Sequence, residues 1–222
     1  MLPFSPALFR FLEDLSANND RTWFAANKGR FEAEVKAPLH ALVHALAPRF
    51  EEVDPEVVAN DKSVFRIHRD TRFSKNKAPY KTHAAAQFQR GTTRGPSATG
   101  YYLHLAPRGS FFAGGLWMPE PTVAMQIRTA IAANPAGWIA ARDGAGGLGA
   151  GESLVRVPKP WTAEHPLAED LRRKSFIAAV NFTDADVTSP DFARSVVAAA
   201  ARIAPLVAFL AGATAGTTEQ GT

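Results

Sequence analysis

In four separate runs between residues 64 and 117, apolar side chains recur at every second position; before and after that span they recur every third or fourth. Alternation builds strands and the longer period builds helices, so the chain is committed to helices, then strands, then helices. Strands that follow one another through short turns pair antiparallel. The expected fold class is α+β: an antiparallel sheet of about five strands flanked by N-terminal and C-terminal helices. No linker or repeat interrupts the pattern. One domain is expected over residues 1–212, with a disordered tail at 213–222.

Local signals give the elements. Ser5-Pro6 reads as a cap followed by proline at the first helical position, with Phe4 and Phe9 placed as a hydrophobic staple. Leu8, Phe11, Leu12 and Leu15 form the first apolar stripe. Asn18-Asn19-Asp20 ends that helix and caps a second, whose apolar side carries Phe24, Phe31, Val35, Leu42 and Leu46. Pro38 should kink or divide it. Strands are expected at Val64–Phe73, Tyr80–Phe88, Gly100–Leu105, Ser110–Trp117 and Leu154–Val157. In the first of these, Phe65, Ile67 and Phe73 should face one way. Thr122 should cap a helix through Ala133, Asn134-Pro135 should start another, and His165-Pro166 should open one running through Arg172-Arg173-Lys174. Ser189-Pro190 opens the last, with Phe192, Val196, Ile203, Leu206 and Leu210 inward.

The segment Arg66–Lys81 (RIHRDTRFSKNKAPYK) carries six fixed positive charges and one carboxylate, Asp70. At a spacing of about 7 Å, neighbouring like charges repel by roughly 2 kcal/mol at an effective dielectric near 20. Such a segment is solvated, paired with the chain's own acids, or a site for an anion. Pairing of 64–73 with 80–88 merges their polar faces, setting Arg66, His68, Asp70 and Arg72 beside Lys81, His83 and Gln87. Tyr102 and His104 share a parity on the next strand and could extend the patch. A face of donors cannot be core. Arginine suits phosphate or carboxylate, and Lys75 and Lys77 at the tip add mobile charges. The anion-binding set is therefore Arg66, Arg69, Arg72, Lys75, Lys77 and Lys81, with Arg21 and Lys28 from the second helix. Asn27, Tyr80, Tyr102 and His104 support it. The competing reading pairs these cations with Glu32, Glu34 or the acids at 51–56.

The ordered set Phe4-Ser5-Pro6, NNDRTWFAANKGRFE (Asn18–Glu32), RIHRDTRFSKNKAPYKTH (Arg66–His83), YYLHL (Tyr101–Leu105), GGLWMP (Gly114–Pro119) and VPKPW (Val157–Trp161) resembles the bacterial and fungal family known as domain of unknown function 2461. The resemblance spans roughly residues 3 to 211. It implies a single α/β-containing domain in which the two long motifs meet, and it carries over no catalytic residue because none is defined. Pro160 stands where the family pattern has glycine.

Other signals exclude more than they propose. The chain has no cysteine, which removes disulfides, thiol nucleophiles and thiolate metal sites and accords with a reducing cytoplasm. The N-terminus lacks a basic region and cleavage site. Val196 to Ala213 is apolar, but Arg202 and Pro205 interrupt it, so a packed helix is expected rather than a membrane span. Gly144–Gly149 fits GxGxxG, yet a helix precedes it and a strand follows, the reverse of the dinucleotide arrangement. Ser74 and Lys77 have SxxK spacing in a loop, where that chemistry needs a helix start. His40 and His44 lie one helical turn apart without an evident third ligand, so no metal is expected. Asp184 and Asp186 read as a turn, and Arg172-Arg173-Lys174 as a solvated helix end. Trp23 and Phe24 could stack on bases but fit core contacts better.

The functional expectation is a cytoplasmic domain that binds a phosphorylated small molecule or nucleic acid, with no cofactor and no membrane partner. One alternative is a phosphoryl-transfer or phosphoester-hydrolysing enzyme, with His68, Asp70 or His83 handling protons. Another is a protein-interaction scaffold, for which an exposed apolar patch near Phe111, Phe112, Leu116 and Trp117 would speak.

Overall fold

The computed structural model describes residues 4–91, 98–149 and 151–215. Helix α1 (Ala7–Ala17) begins where Ser5 Oγ accepts from the Ala7 N–H at 3.3 Å, and it buries Leu8, Phe11, Leu12 and Leu15. Phe4 is buried against Phe192, the ring centroids 6.2 Å apart. Asp20 caps α2 (Arg21–Arg30), accepting from the Trp23 N–H at 2.9 Å.

Pro38 neither breaks nor splits the helical run. A turn of π-helix (Phe31–Lys36) joins α2 directly to α3 (Ala37–Val53), and the Ala37 N–H reaches back to the Glu32 carbonyl, one residue further than in an α-helix. Proline has no N–H to donate and its ring crowds the carbonyl four residues back. A widened turn just before it lets the chain stay helical.

Five strands form one antiparallel sheet in chain order: β1 (Val57–Val58), β2 (Ala84–Arg90), β3 (Gly100–Leu105), β4 (Ser110–Leu116) and β5 (Phe176–Phe182). Two expected strands are replaced. Val64–Phe73 makes only isolated bridges, Val64 to Ala86 and His68 to Tyr80, and then turns away. Asp70 Oδ1 takes the Arg72 N–H at 3.1 Å and Asn76 Oδ1 takes the Ala78 N–H at 2.9 Å, so two side-chain turns outcompete the ladder. Within that segment only Ile67 is buried; Phe65 is 43% and Phe73 95% exposed, against the shared face expected of them. Leu154–Val157 is not a strand either. The one bridge beside it is that of the preceding Ser153 to Arg173, and Val155 is 91% exposed. The fifth strand is β5, from a segment the periodicity left unassigned.

Helix α4 (Pro121–Ala133) starts one residue earlier than Thr122, with Glu120 at the cap and Pro121 first. Asn134 caps α5 (Pro135–Gly144), accepting from the Gly137 N–H at 3.0 Å. The glycine-rich run terminates this helix. Gly146 and Gly147 adopt φ of +91° and +85° and return their N–H groups to Asp143 and Arg142, each at 2.9 Å. Helix α6 is short (Ala168–Leu171) and ends before the basic triplet. That triplet is half-buried and partnered rather than a free solvated helix end. Arg172 bonds Glu169 and the Leu154 carbonyl, Arg173 the Gly149 carbonyl, and Lys174 pairs with Glu152 at 2.8 Å. Buried Arg128 donates to the carbonyls of Leu171 and Arg173 at 2.7 and 2.8 Å. Thr183 and Asp186 cap each other at the start of α7 (Asp184–Thr188), which accounts for the paired aspartates. Helix α8 (Phe192–Thr214) is long and apolar enough to cross a membrane by length and composition, yet Phe192, Val196, Ile203, Leu206 and Leu210 are all buried. It includes Ala213 and Thr214 of the expected tail; residues 216–222 lie outside the described residues.

The chain forms two compact units. The first comprises Met1–Phe88, Tyr102–Phe112 and Val180–Ala198; the second comprises Gln89–Tyr101, Ala113–Ala179 and Ala199–Thr222. Each is assembled from three separated segments, so no single linker could mark the division.

In the second unit, Gly115 has φ of +128°, and a Cβ there would fall on the Phe176 carbonyl oxygen. Gly115→Ala is therefore expected to cost about 2–3 kcal/mol, from strained backbone and a backbone collision together. Urea unfolding of the variant beside the parent measures it, and an unchanged midpoint would show that β5 can move aside.

Candidate functional site

The two long motifs meet through Asn19 and Phe24 of the first and Tyr80 of the second. The Asn19 carboxamide accepts from the Tyr80 N–H and donates to the Tyr80 carbonyl, both at 3.0 Å, as a neighbouring strand would. The Tyr80 ring stacks on Phe24 with centroids 4.1 Å apart and 20° between planes. Phe24 is thus a core contact, and half-buried Trp23 packs on Phe11 with centroids 5.8 Å apart.

The extended residues 64–69 lie against 79–86 through Phe65 N–H to Ala85, Lys81 N–H to Ile67 and Arg69 N–H to Pro79. This layout opens a cavity of about 320 Å³, all of whose lining residues belong to the first unit. Phe24, Val35, Leu39, Ile67, Ala84 and Ala85 are buried and form its apolar floor. Lys28, Lys36, Arg66 and Lys81 also line it, with Glu32 as the one carboxylate and His40, His68 and His83 as the imidazoles. Lys36 is spoken for, paired with Glu32 at 2.9 Å. Lys28 and Arg66 form no salt bridge with any described residue.

The remaining expected site residues divide cleanly. Arg69 turns inward to the loop, donating to the Ala78 carbonyl at 3.1 Å and to Ser74 Oγ at 3.5 Å. Arg72 is neutralised by Asp70 at 2.7 Å, so Asp70 is an ion-pair partner and not a free base. Its carboxyl is held below the usual range by the Arg72 hydrogen bonds. Lys77 closes the loop onto the Thr71 carbonyl at 2.9 Å. Lys75 and Arg21 are exposed and do not line the cavity. Asn27 stays within its helix, donating to the Trp23 carbonyl at 3.0 Å. Tyr102 and His104 add no charge to the cavity. The Tyr102 hydroxyl and His104 Nδ1 share a hydrogen bond of 3.1 Å, and His104 is stacked between His83 at 4.3 Å and Phe111 at 4.9 Å. Of the four residues expected in an apolar scaffold patch, Phe112 and Leu116 are fully buried, Phe111 is half-buried and Trp117 is exposed, beside exposed Met118.

Burial sets the electrostatics. Lys81 Nζ donates to the Arg66 carbonyl at 3.0 Å and lies 4.9 Å from the Phe65 ring centroid. Desolvation, then the Arg66 charge, lowers its pKa. His83 is pushed down to about 4 by burial first, then by His104 and Lys81. At neutral pH the imidazole of His83 is uncharged.

The carboxylate beside His40 and His44 that the sequence did not reveal is Asp61. Its Oδ1 lies 2.8 Å from His40 Nδ1 and 2.9 Å from His44 Nε2. The signal is absent from local spacing because Asp61 follows the end of α3, in a separate 3-10 turn (Asp61–Ser63).

The depressed pKa of His83 has a consequence for stability. The unfolded chain takes up this proton near pH 6.5 and the folded chain only near 4, so stability falls as pH drops through that window. His83→Gln should make the fall shallower between pH 6.5 and 4.5 in urea melts. Parallel curves for the two proteins would place the imidazole in water.

No curated protein and no solved structure matches the chain. The model of the family DUF2461, conserved hypothetical protein, matches residues 7–209. Covering nearly all of the 222 residues, that match makes the chain a member of the family.

Proposed function

We propose that the chain binds a small phosphorylated organic compound in the cavity of the first unit. One observation carries the reading: Lys28 from one long motif and Arg66 and Lys81 from the other line a single apolar-floored cavity, and neither Lys28 nor Arg66 forms a salt bridge among the described residues, although the Arg66 charge is felt by Asp70. Arginine offers a planar fork of donors and lysine a point charge, which together suit a phosphate. Buried Phe24, Val35, Leu39 and Ile67 suit an apolar or aromatic body attached to it. A volume of about 320 Å³ lies at the small end of ligand pockets, which favours a single small molecule over a nucleic-acid strand.

The hydrolase alternative is weakened by the geometry. Asp70, its carboxylate candidate, is bound to Arg72 and does not line the cavity, and His68 and His83 are left without a carboxylate partner among the described residues.

The test is calorimetry with adenosine monophosphate, glycerol 3-phosphate and a short single-stranded oligonucleotide, on the parent and on Lys28→Gln with Arg66→Gln. A small phosphate compound should bind and the double variant should lose about 100-fold or more, since each charged hydrogen bond contributes about 1.5–3 kcal/mol. Equal affinity in both proteins, or binding of the oligonucleotide alone, would overturn the assignment.

A further inference from the structure

The geometry points to a divalent transition-metal site of the zinc class, formed by His40, His44 and Asp61. It goes beyond the anion reading and does not depend on it.

His40 and His44 are four residues apart on α3, so their side chains share one face a turn apart. That spacing lets two imidazoles of one helix bind a single ion. The third donor arrives from a rigid turn. Asn60 caps Asp61–Ser63 by accepting from the Lys62 N–H at 2.9 Å, and Ser63 Oγ accepts from the Asn60 N–H at 3.2 Å. Ser63 itself is buried, so the backbone that carries Asp61 is anchored. The three donor atoms all lie within 4.8 Å of one another. The two nitrogen-to-oxygen separations, 2.8 and 2.9 Å, are hydrogen-bond distances, so the donors must part by roughly half an ångström to reach the edge of about 3.3–3.6 Å between ligands held tetrahedrally around zinc. Asp61 Oδ2 makes no hydrogen bond among the described residues, so the carboxylate can pivot without losing a partner.

Two imidazoles and one carboxylate select for zinc, nickel or copper over magnesium or calcium, which require oxygen ligands throughout. Without metal, both ring nitrogens donate N–H bonds to one ionised oxygen, which holds the Asp61 carboxyl below its usual range. Metal entry replaces both protons at those nitrogens, and each ring carries its proton on the opposite nitrogen instead. His40 thereby passes from the Nδ1–H to the Nε2–H tautomer, and His44 makes the reverse change. Three protein ligands leave further coordination positions open. His40 also lines the cavity, so occupancy of the metal site reaches the cavity wall through one imidazole.

The experiment uses the full chain, stripped with a chelator and titrated with Zn²⁺ alone by calorimetry at pH 7.5, beside His44→Ala and Asp61→Asn. Both replaced side chains are more than half exposed, at 59% and 67%, so the fold should survive, with unchanged melting of the metal-free variants as the control. One saturable site is expected in the parent, weakened at least about tenfold in each variant, with no heat from Mg²⁺ at the same concentration. Imidazole nitrogen resonances of His40 and His44 should report the tautomer exchange on adding Zn²⁺. No saturable binding, equal affinity in all three proteins, or resonance changes confined to other histidines would each overturn the proposal.

Discussion

The architecture of the first unit turns on the carboxamide of Asn19. It completes both hydrogen bonds of the Tyr80 peptide, where a strand would otherwise be needed, and the Tyr80 ring closes on Phe24 beneath it. Two hydrogen bonds of about 1 kcal/mol each and a stacked pair of about 0.5–1.5 kcal/mol are modest alone. Their position gives them weight. They fix α2 against the stretch that carries Arg66 and Lys81, which is why Lys28 joins the same cavity wall. An aspartate at this position would accept but not donate, leaving the Tyr80 carbonyl unanswered.

Around that clasp the cationic segment sorts itself by geometry. Asp70 and Asn76 impose turns, the loop folds onto its own carbonyls, and Arg69, Arg72 and Lys77 are consumed in holding it. A dense run of like charge is thus made tolerable by internal carbonyl and carboxylate partners for four of its members, Lys81 donating to the Arg66 carbonyl. The members that line the cavity are those flanking the loop, Arg66 and Lys81, where the chain is extended and paired.

Much of this was legible in the chain itself. Caps at Asp20 and Asn134, the alternation of β3 and β4 and the inward stripe of α8 follow from local chemistry, and local chemistry is what a single sequence records. Strand β5 was not legible: its sequence FIAAVNF alternates poorly, and the preceding basic triplet resembled a helix end until its arginines were seen bonded to distant carbonyls. Nor could charge density tell Arg66 from Arg72, since the difference lies in a turn made by Asp70. The partnership of Asp61 with His40 and His44 depends on how the chain returns along α3 after the helix ends, a tertiary fact with no local trace.

Lys81 brings one practical consequence. An amine desolvated over the Phe65 ring and crowded by the Arg66 guanidinium has a larger neutral fraction at a given pH than a lysine in water, and the neutral amine is the nucleophile. Lys81 is therefore the more readily acylated the more often its Nζ leaves the Arg66 carbonyl. A reporter dye can be tethered beside the cavity in the native sequence, with no engineered thiol.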